Sequence, residues 1–441
     1  MQVFLAQSPA IPMVDLQIDF DAGSRRDPVD KAGLASVTAS MAGKGVAAGL
    51  STQEPALDEN ALGEAWADLG ASFNAHASSD RMSFSLRSLT YPDLLGNAVQ
   101  LAGRQLAQPA FPADIWQRER ESLNAAIKEA NTRPATLAGR AFSQAVYGQH
   151  PYGFEMTETT LSKIEVADMA ALYRQMIQPC RAKVMLVGAL DRAQADTLVQ
   201  QLFTKLAAAP AATGQATDLS QASASADGTT KGVAPDVGCP LLVTVPDVAP
   251  LSGPSEQQIA FASAQAHVLM GQPGFKRDDP DFFALTVGNY ILGGGGFVSR
   301  LTSEVREKRG LSYSVYSYFS PGLHAGAFTL GLQTRPDQVV QALQVSRDVL
   351  ARFVAEGPTE VELQAAKDNL IGGFALRIDS NRKLLDNVAN IAWNTLPLDY
   401  LDTWTKQVAK VTLADVKAAF ARKLQPEKMA TVVLGGAPAV Q

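Results

Sequence analysis

The sequence predicts an α+β fold with two homologous domains, each an antiparallel β-sheet packed with α-helices on one face. The chain has 441 residues, 46% hydrophobic and 19% charged, which is a globular composition with enough length for two or three domains. A segment rich in Ala, Gly, Ser and Thr divides the chain almost in half, and the two halves resemble each other. We therefore expect a domain at 1–206, a linker at 207–238 and a second domain at 239–441.

The clearest repeat joins "VADMAALYRQMIQPCRAKVMLVG" (166–188) to "LADVKAAFARKLQPEKMATVVLG" (413–435) at a constant offset of 247 residues. Both copies predict a helix, a turn and a strand in that order. Because the offset holds across all three elements, we interpret the similarity as a duplication of a whole structural unit.

A second repeat aligns residues 69–93 with residues 309–337, with four extra residues in the second copy. Alternating apolar residues on both sides of a turn predict a β-hairpin in each copy, followed by an amphipathic helix that begins at Pro-Asp. The matched pairs include Gly70 with Gly310 and Phe73 with Tyr313.

Composition excludes several classes of function. A formal charge of −6 and a pI near 5.4 argue against a nucleic-acid surface. No run of about 18 or more apolar residues predicts a membrane span. The two cysteines, Cys180 and Cys239, are too few and too far apart in sequence to predict a Cys-based zinc site or a disulfide framework. The sequence begins without a signal peptide, so two locations stay open: the cytoplasm, or an exported protein whose leader was removed. Because "MQVFL" begins within a predicted strand, the periplasm is weakly favoured over the cytoplasm.

The chain contains a run of four glycines: Gly293, Gly294, Gly295 and Gly296. The run follows a predicted helix, "DPDFFALTVGNYIL", whereas a dinucleotide loop follows a strand, and no Lys-Ser/Thr pair comes after it. Phosphate binding is therefore not predicted. Two roles stay open, a flexible hinge and a place where another backbone passes closely.

A short helix is predicted after the glycines, because Phe297, Leu301 and Val305 recur at helical spacing. Arg306 lies in its last turn, and Tyr313 lies on the strand that follows. Each residue has an ordinary structural explanation, a cation at a helix C-terminus and an aromatic ring packed on a sheet. However, a helix end and the adjoining strand can also direct a guanidinium and a phenol at a common point.

The four histidines, His76, His150, His267 and His324, include no pair within five residues. This spacing excludes a hydrolase zinc site that takes two ligands from one helix. His150 in "HPYG" is most simply a turn residue. There is no Gly-x-Ser-x-Gly elbow and no histidine beside either cysteine, so nucleophilic catalysis is not predicted.

Three features together resemble the pitrilysin/insulinase family of inverted-motif zinc peptidases, whose relatives include mitochondrial processing peptidase. They are the duplicated α+β halves, the early "VDLQIDFDAGSRRDP" and "REKRGLSYSVYS" in the second half. The resemblance covers nearly the whole chain. Its most specific part is Arg306 and Tyr313, which match an Arg/Tyr pair of the family.

The zinc motif of active family members is missing. Those members carry His-x-x-Glu-His on a helix after the "DAGS" turn, but the matching positions here are Ser36, Val37, Thr38, Ala39 and Ser40. The third ligand of the family, a glutamate on a later helix rich in Glu and Arg, corresponds to Gln117. Serine and glutamine do not replace imidazole and carboxylate ligands, and alanine cannot act as a base. We therefore expect no metal in this chain and no hydrolysis by this chain alone.

Some peptidases of this family divide the work between a zinc-bearing chain and a chain that carries the Arg/Tyr pair. The resemblance implies that this sequence is of the second kind: a substrate-binding subunit of a heterodimeric zinc endopeptidase that degrades unfolded peptides. The zinc would then belong to a homologous partner subunit. Arg306 and Tyr313 would act on the peptide, and the four glycines would leave room for the peptide or for opening and closing. The alternative is a structural or scaffolding homologue without any role in proteolysis.

Overall fold

The computed structural model describes residues 1–49, 54–208 and 239–436, in which ten strands and fourteen α-helices are formed. The strands are β1 (Gln2–Gln7), β2 (Met13–Phe20), β3 (Ser72–Ala77), β4 (Met82–Leu89), β5 (Lys183–Gly188), β6 (Ser255–Ile259), β7 (Ala266–Pro273), β8 (Ser314–Phe319), β9 (Ala327–Thr334) and β10 (Ala430–Leu434). The helices are α1 (Leu34–Met41), α2 (Glu59–Asp68), α3 (Pro92–Ala107), α4 (Ala113–Ala130), α5 (Pro134–Tyr147), α6 (Glu158–Ser162), α7 (Val166–Met176), α8 (Arg192–Ala208), α9 (Phe282–Asn289), α10 (Val339–Glu356), α11 (Glu360–Gly372), α12 (Asn381–Trp393), α13 (Tyr400–Lys410) and α14 (Leu413–Lys423). Across these described ranges no helix is both long enough and apolar enough to cross a membrane.

The described chain divides into two compact units, each built around one five-stranded sheet. The first unit contains Met1–Gly23, Leu34–Trp116 and Ile164–Thr244; the second contains Ser24–Gly33, Gln117–Lys163 and Val245–Gln441. The linker expected at 207–238 lies almost entirely outside the described residues, and the domain boundaries at 206 and 239 stay predictions.

The sheet of the first unit has the order β1-β5-β2-β4-β3, with β1 parallel to β5 and all other neighbours antiparallel. Leu16 and Ile18 of the central strand β2 are fully buried on one face. On the other face Asp19 is also fully buried, and it accepts hydrogen bonds from Arg81 (2.7 Å) and Ser83 (2.6 Å). These bonds offset the large cost of burying a carboxylate.

The sheet of the second unit has the order β6-β10-β7-β9-β8, with β6 parallel to β10. Val268 and Phe328 lie on the face that packs with the helices α9, α10 and α14 in one buried cluster. Phe142 and Val146 of α5 pack on the opposite face, against Val432 of β10. The predicted α+β class with two sheets is confirmed, and α5 adds a helix to the second face of this sheet. Strand β8 is at the edge and therefore has one strand neighbour.

The duplication is visible in the structure. The offset of 247 residues carries β5 onto β10 and α7 onto α14. Gly188 and Gly435 both have positive φ, at 153° and 123°, and so do Gly70 and Gly310, at 56° and 61°. Glycine tolerates this backbone region without a steric penalty. Equivalent positions in the two halves therefore keep the same unusual backbone conformation.

The two cysteines, considered too few and too far apart in sequence for a disulfide framework, are paired in the structure. Cys180 and Cys239 form a disulfide in the first unit, with their Cα atoms 5.9 Å apart. The side chain of Arg181 also donates a hydrogen bond to the carbonyl of Pro240, so the two segments run side by side. A separation of 59 residues in sequence is no measure of distance in the folded chain.

We expect removal of this disulfide to destabilise the protein. Closing a loop of this length restricts the unfolded chain, so Cys180→Ser/Cys239→Ser should lower the free energy of unfolding by about 2 to 4 kcal/mol. Denaturant unfolding of both proteins with and without reductant measures the effect, and only the wild type should respond to reductant. Two thiols that react with iodoacetamide in unreduced protein from an oxidising compartment would contradict the pairing.

Candidate functional site

Most of the residues to which the resemblance assigns a role in peptide binding line one cleft at the edge of the second sheet. This cleft, which we call the β8 cleft, has a volume of about 550 Å³. Gly293, Gly294, Gly296, Arg306 and Tyr313 belong to its lining, whereas Gly295 does not. The other lining residues are Asn289, Phe297, Thr302, Ser314, Val315, Tyr316, Ser317 and Tyr318.

The floor of the β8 cleft forms where α9 ends. The predicted helix continues past Asn289 as a wide, π-helical turn over Tyr290–Gly294. The side-chain Nδ2 of Asn289 donates a hydrogen bond to the backbone carbonyl of Ser317 in β8 at 3.0 Å. The hydroxyl of Ser317 donates in return to the side-chain Oδ1 of Asn289 at 2.8 Å. This reciprocal pair fixes the glycine run against the edge strand.

Gly293 lies where two backbones approach closely. A Cβ atom at this position would come within 2.5 Å of the backbone nitrogen of Ser317 and 2.7 Å of a methyl carbon of Leu301. Gly296 differs, since it has open space around it and a φ of 60°. Of the two roles left open by the sequence, close approach fits Gly293.

The helix after the glycines begins later than predicted. Ser299 precedes it, and its hydroxyl donates to the carbonyl of Gly296 at 2.8 Å. Leu301 and Val305 are fully buried, as expected, but Phe297 is 71% exposed. The prediction that Phe297 shares their buried face is wrong, because this residue lies in a separate 3-10 turn, Gly296–Val298, that ends before the helix begins.

Arg306 lies in a wide turn of this helix, Thr302–Glu307. Its guanidinium carbon is 4.8 Å from the centre of the Phe297 ring, and its Nε is 3.6 Å from a carboxylate oxygen of Glu307. Both contacts involve exposed partners, so they orient the guanidinium without burying it. Arg306 is the one charged residue in the lining of the β8 cleft.

Tyr313 lies just before β8 rather than on it. The hydroxyl of Ser312 is within hydrogen-bond distance of the carbonyls of Ser314 (2.7 Å) and Gln333 (2.6 Å), and it accepts from the Ser314 N–H at 3.1 Å. These contacts delay the start of the strand to Ser314. Tyr313 is 85% exposed, and its hydroxyl has no hydrogen-bond partner in the described part of the chain. The ordinary explanation, an aromatic ring packed on the sheet, does not apply to it.

The outer edge of β8 is only partly covered. The N–H of Ser320 donates to the carbonyl of Ala327 in β9 at 3.0 Å, so Ser320 directs its backbone groups towards β9. This direction alternates from residue to residue along an antiparallel strand, so the odd-numbered residues Val315 and Ser317 direct their backbone groups away from β9. Asn289 satisfies the carbonyl of Ser317. Val315 lines the β8 cleft. The backbone groups of Val315 therefore point away from β9 on the side of the β8 cleft, while the residue as a whole is buried at 7% exposure.

An ion pair fastens the helix that carries Arg306. Arg300 makes two 2.7 Å hydrogen bonds to the carboxylate of Glu362 at the start of α11, and its guanidinium lies 5.0 Å from the Phe353 ring centre. Burial by itself would raise the pKa of Glu362, but the bonds from Arg300 and Thr359 outweigh it and hold the pKa at about 2. The bidentate pair resists rotation of the helix.

The positions that match the zinc motif do not fit a metal. Ser36 and Ser40 lie on the exposed side of α1, and Ala39 is buried at 1% exposure. Gln117 is exposed on α4, in the other unit. Among the residues that the structure describes, no group of three or more His, Cys, Asp or Glu is placed to hold a metal ion. Hydroxyl and amide groups are poor zinc ligands.

His150 and His324, far apart in sequence, lie together in the second unit. Their ring centres are 5.2 Å apart. His150 accepts from the N–H of Tyr152 at 3.1 Å, which confirms its role in a turn, and its other ring nitrogen lies 2.9 Å from the carbonyl of Pro246. His324 contacts Asp247 at 2.9 Å. These contacts tie Pro246 and Asp247 to the body of the second unit.

Sequence reasoning missed the parts of the site that hold the edge strand. Asn289 fell within a predicted helix, and nothing in one sequence signals its bond to Ser317. Tyr316 and Tyr318 belong to the alternating pattern "SYSVYSYF", and their spacing of two residues places both rings on one side of the predicted strand. The alternation was the available signal for this pair.

Two family descriptions match consecutive parts of the chain. Residues 2–160 match Insulinase (Peptidase family M16), and residues 163–370 match the Peptidase M16 inactive domain. The crystal structure of a peptidase M16 inactive domain from Pseudomonas fluorescens is 31% identical, with a TM-score of 0.85, and the match covers 100% of this chain and 97% of that one. The chain therefore belongs to the M16 (insulinase) peptidase family.

Similar proteins carry names of two kinds. An uncharacterized zinc protease from Streptomyces coelicolor is 36% identical over 179 residues, which span 40% of this chain and 38% of that protein. An uncharacterized zinc protease from Mycobacterium tuberculosis is 24% identical over 433 residues, 97% of this chain and 89% of that protein. A non-peptidase homolog from Helicobacter pylori is 34% identical over 167 residues, 37% of this chain and 38% of that protein. Family membership alone therefore does not decide whether a chain is active.

We expect Glu362→Gln to destabilise the protein in a pH-dependent way. The pKa of Glu362 is lowered, so its contribution is fully present above about pH 4.5 and is lost as the pH falls towards 2. At pH 7 the variant should lose about 1 to 3 kcal/mol of unfolding free energy, allowing for partial exposure. Denaturant unfolding at pH 7 and pH 3 measures this. The exposed Glu360 on the same helix provides a control, Glu360→Gln, and an equal loss in both variants would contradict the assignment.

Gly293→Ala should also be destabilising, by about 1 to 3 kcal/mol, because the new methyl group would collide with the backbone of β8. Gly63→Ala is the matched control: Gly63 lies within α2 and its Cβ would meet nothing within 4 Å. This control should be neutral or stabilising by up to about 1 kcal/mol. Thermal or denaturant unfolding compares the two. Equal stability of Gly293→Ala and wild type would indicate a hinge rather than close approach.

Proposed function

We propose that this chain is the non-zinc, substrate-binding subunit of a heterodimeric zinc endopeptidase that degrades unfolded peptides. The observation that carries the proposal is the joint presence of Arg306 and exposed Tyr313 in one cleft, along the partly open edge of β8. A catalytic contribution by this chain would consist of these two side chains, since Ser36, Ala39, Ser40 and Gln117 supply neither ligand nor base.

Strand addition is the proposed mode of binding. An extended peptide would pair with the outward N–H and C=O of Val315, as peptides do at exposed sheet edges. The side-chain amide of Asn289 already donates a hydrogen bond to the carbonyl of Ser317, so the peptide would not pair with β8 beyond Val315 in that direction. This arrangement favours unfolded chains, because a folded segment cannot present its own backbone groups.

Tyr313 and Arg306 would act on the backbone of the bound peptide. The phenol of Tyr313 has a proton to donate, and it would stabilise negative charge on a peptide carbonyl oxygen as that charge develops. The guanidinium of Arg306, held by Phe297, would donate to a second carbonyl and fix the register of the peptide. Neither role requires a particular peptide side chain.

The partner would be a homologous subunit that carries His-x-x-Glu-His and holds the zinc ion. This division explains why the substituted motif and the Arg/Tyr pair occur in one chain. The disulfide between Cys180 and Cys239 supports an oxidising compartment, and the proposed location of the complex is the periplasm.

A structural homologue without a role in proteolysis is the second candidate. The name of the Helicobacter pylori relative, a non-peptidase homolog, favours it. The two candidates separate when the chain is mixed with a His-x-x-Glu-His homologue and a fluorogenic peptide. Activity that neither chain shows alone supports the peptidase subunit. Complex formation without any activity supports the structural role.

In the active mixture, Tyr313→Phe should lower kcat by about 10²-fold or more, the scale of losing one oxyanion donor. Arg306→Ala should mainly raise KM, because it would remove a contact made with the bound peptide. Tyr91→Phe and Arg382→Ala, at exposed residues outside the β8 cleft, are the matched controls and should retain full activity. Unchanged turnover of Tyr313→Phe would remove Tyr313 from the mechanism.

A further inference from the structure

A second cavity lies in the same unit, between α5 and the face of the sheet opposite the main core. We call it the tyrosine pocket; its volume is about 360 Å³. Tyr316 and Tyr318 line both this pocket and the β8 cleft, so the two cavities share a wall. A peptide along β8 would therefore pass the entrance formed by the two tyrosines.

The two tyrosine rings are arranged as a stack. Their centres are 5.9 Å apart and their planes are inclined by 19°. Tyr316 lies directly over Gly331 of β9, where a Cβ atom would come within 2.5 Å of the ring. The missing side chain lets the ring lie flat on the sheet. Both rings remain partly exposed, at 39% and 45%.

The lining of the tyrosine pocket carries no permanent charge, since it contains no Asp, Glu, Lys or Arg. Burial lowers the pKa of His267, which keeps this lining residue neutral at neutral pH. Hydrogen-bonding groups are nevertheless present. The hydroxyl of Tyr147 accepts from the N–H of Ala327 at 2.8 Å, and Ser143 and Gln333 also line the pocket.

We propose that the tyrosine pocket is a subsite for an uncharged aromatic side chain of the peptide bound along β8. The inference rests on the proposed function. Successive side chains of an added strand point to opposite faces of the sheet, so every second peptide residue would lie on the face of Tyr316 and Tyr318. Aromatic rings stack favourably on such a pair, whereas a charged side chain would lose its hydration without gaining a partner.

The pocket can be filled from a position where an added Cβ atom has open space around it. Gly139 lies within α5 and lines the pocket, and its Cβ would meet nothing within 4 Å. Gly139→Leu should therefore occupy the cavity and also favour the helix. Gly96 within α3 is equally open and lies outside the pocket, so Gly96→Leu is the matched control. Ser143→Leu fills the pocket from the same helix if the first variant fails to fold.

The test measures binding of fluorescein-labelled decapeptides to the purified full-length chain by fluorescence anisotropy. The three peptides are identical except for a central Tyr, Ala or Lys. We expect the Tyr peptide to bind wild type and Gly96→Leu about tenfold more tightly than the other two. In Gly139→Leu this preference should disappear, while the affinity for the Ala peptide stays unchanged.

The possible failures have different meanings. Equal binding of all three peptides to wild type would overturn the subsite and leave the proposed function standing. A preference that persists in both pocket-filling variants would also overturn the subsite. Absence of binding by every peptide would count against the proposed function itself, and with it the subsite. Loss of the Ala peptide in folded Gly139→Leu would show that the pocket belongs to the main binding path, which contradicts a separate subsite.

Discussion

The contact between Gly293 and Ser317 is the constraint on which the candidate site depends. Because Gly293 has no side chain, the end of α9 can lie against the backbone of β8, and Asn289 can then bond to Ser317. The edge strand is held there by its own chain, whereas the backbone groups of Val315 are directed away from β9 on the side of the β8 cleft. One close approach thus fixes the floor of the cleft against the sheet edge.

The helix after the glycine run is held from its other side by Arg300. The bidentate pair of Arg300 with Glu362 links the helix after the glycine run to α11. The same helix after the glycine run carries Arg306, which lines the β8 cleft. Arg306 itself makes only weak contacts, with Phe297 and Glu307. The strong ion pair of Arg300 with Glu362 therefore positions the helix, and the weakly held guanidinium of Arg306 keeps its hydrogen-bonding capacity for a ligand.

The sequence was sufficient where a pattern was repeated or lay within one helix. The constant offset predicted that β5 and α7 recur as β10 and α14, and helical spacing predicted burial of Leu301 and Val305. It failed where the deciding partner is distant in the chain. Pairing of Cys180 with Cys239 depends on where the two turns lie in the folded unit, and no periodicity encodes that. The outlying position of Phe297 depends on where the helix starts, which is the least predictable property of a helix.

The duplication supplies an internal comparison for Tyr313. Its counterpart in the first half, Phe73, is 6% exposed and packs between Trp66 and Phe84, with ring centres 6.0 and 5.9 Å away. Tyr313 is 85% exposed. The glycines that precede the two residues, Gly70 and Gly310, have nearly the same φ, so the chain enters both positions alike.

The two copies diverge only after this shared entry. In the first half the strand has begun at Ser72, and the ring of Phe73 joins the core. In the second half the contacts of Ser312 delay the strand to Ser314 and leave Tyr313 outside it. The fold can bury an aromatic ring at this position, as Phe73 shows, but in the second half it exposes the phenol of Tyr313. The exposed ring contributes little of the free energy that burial of its apolar surface would give. No contact in the described part of the chain offsets that loss, whereas the proposed hydrogen bond from Tyr313 to a bound peptide would offset it.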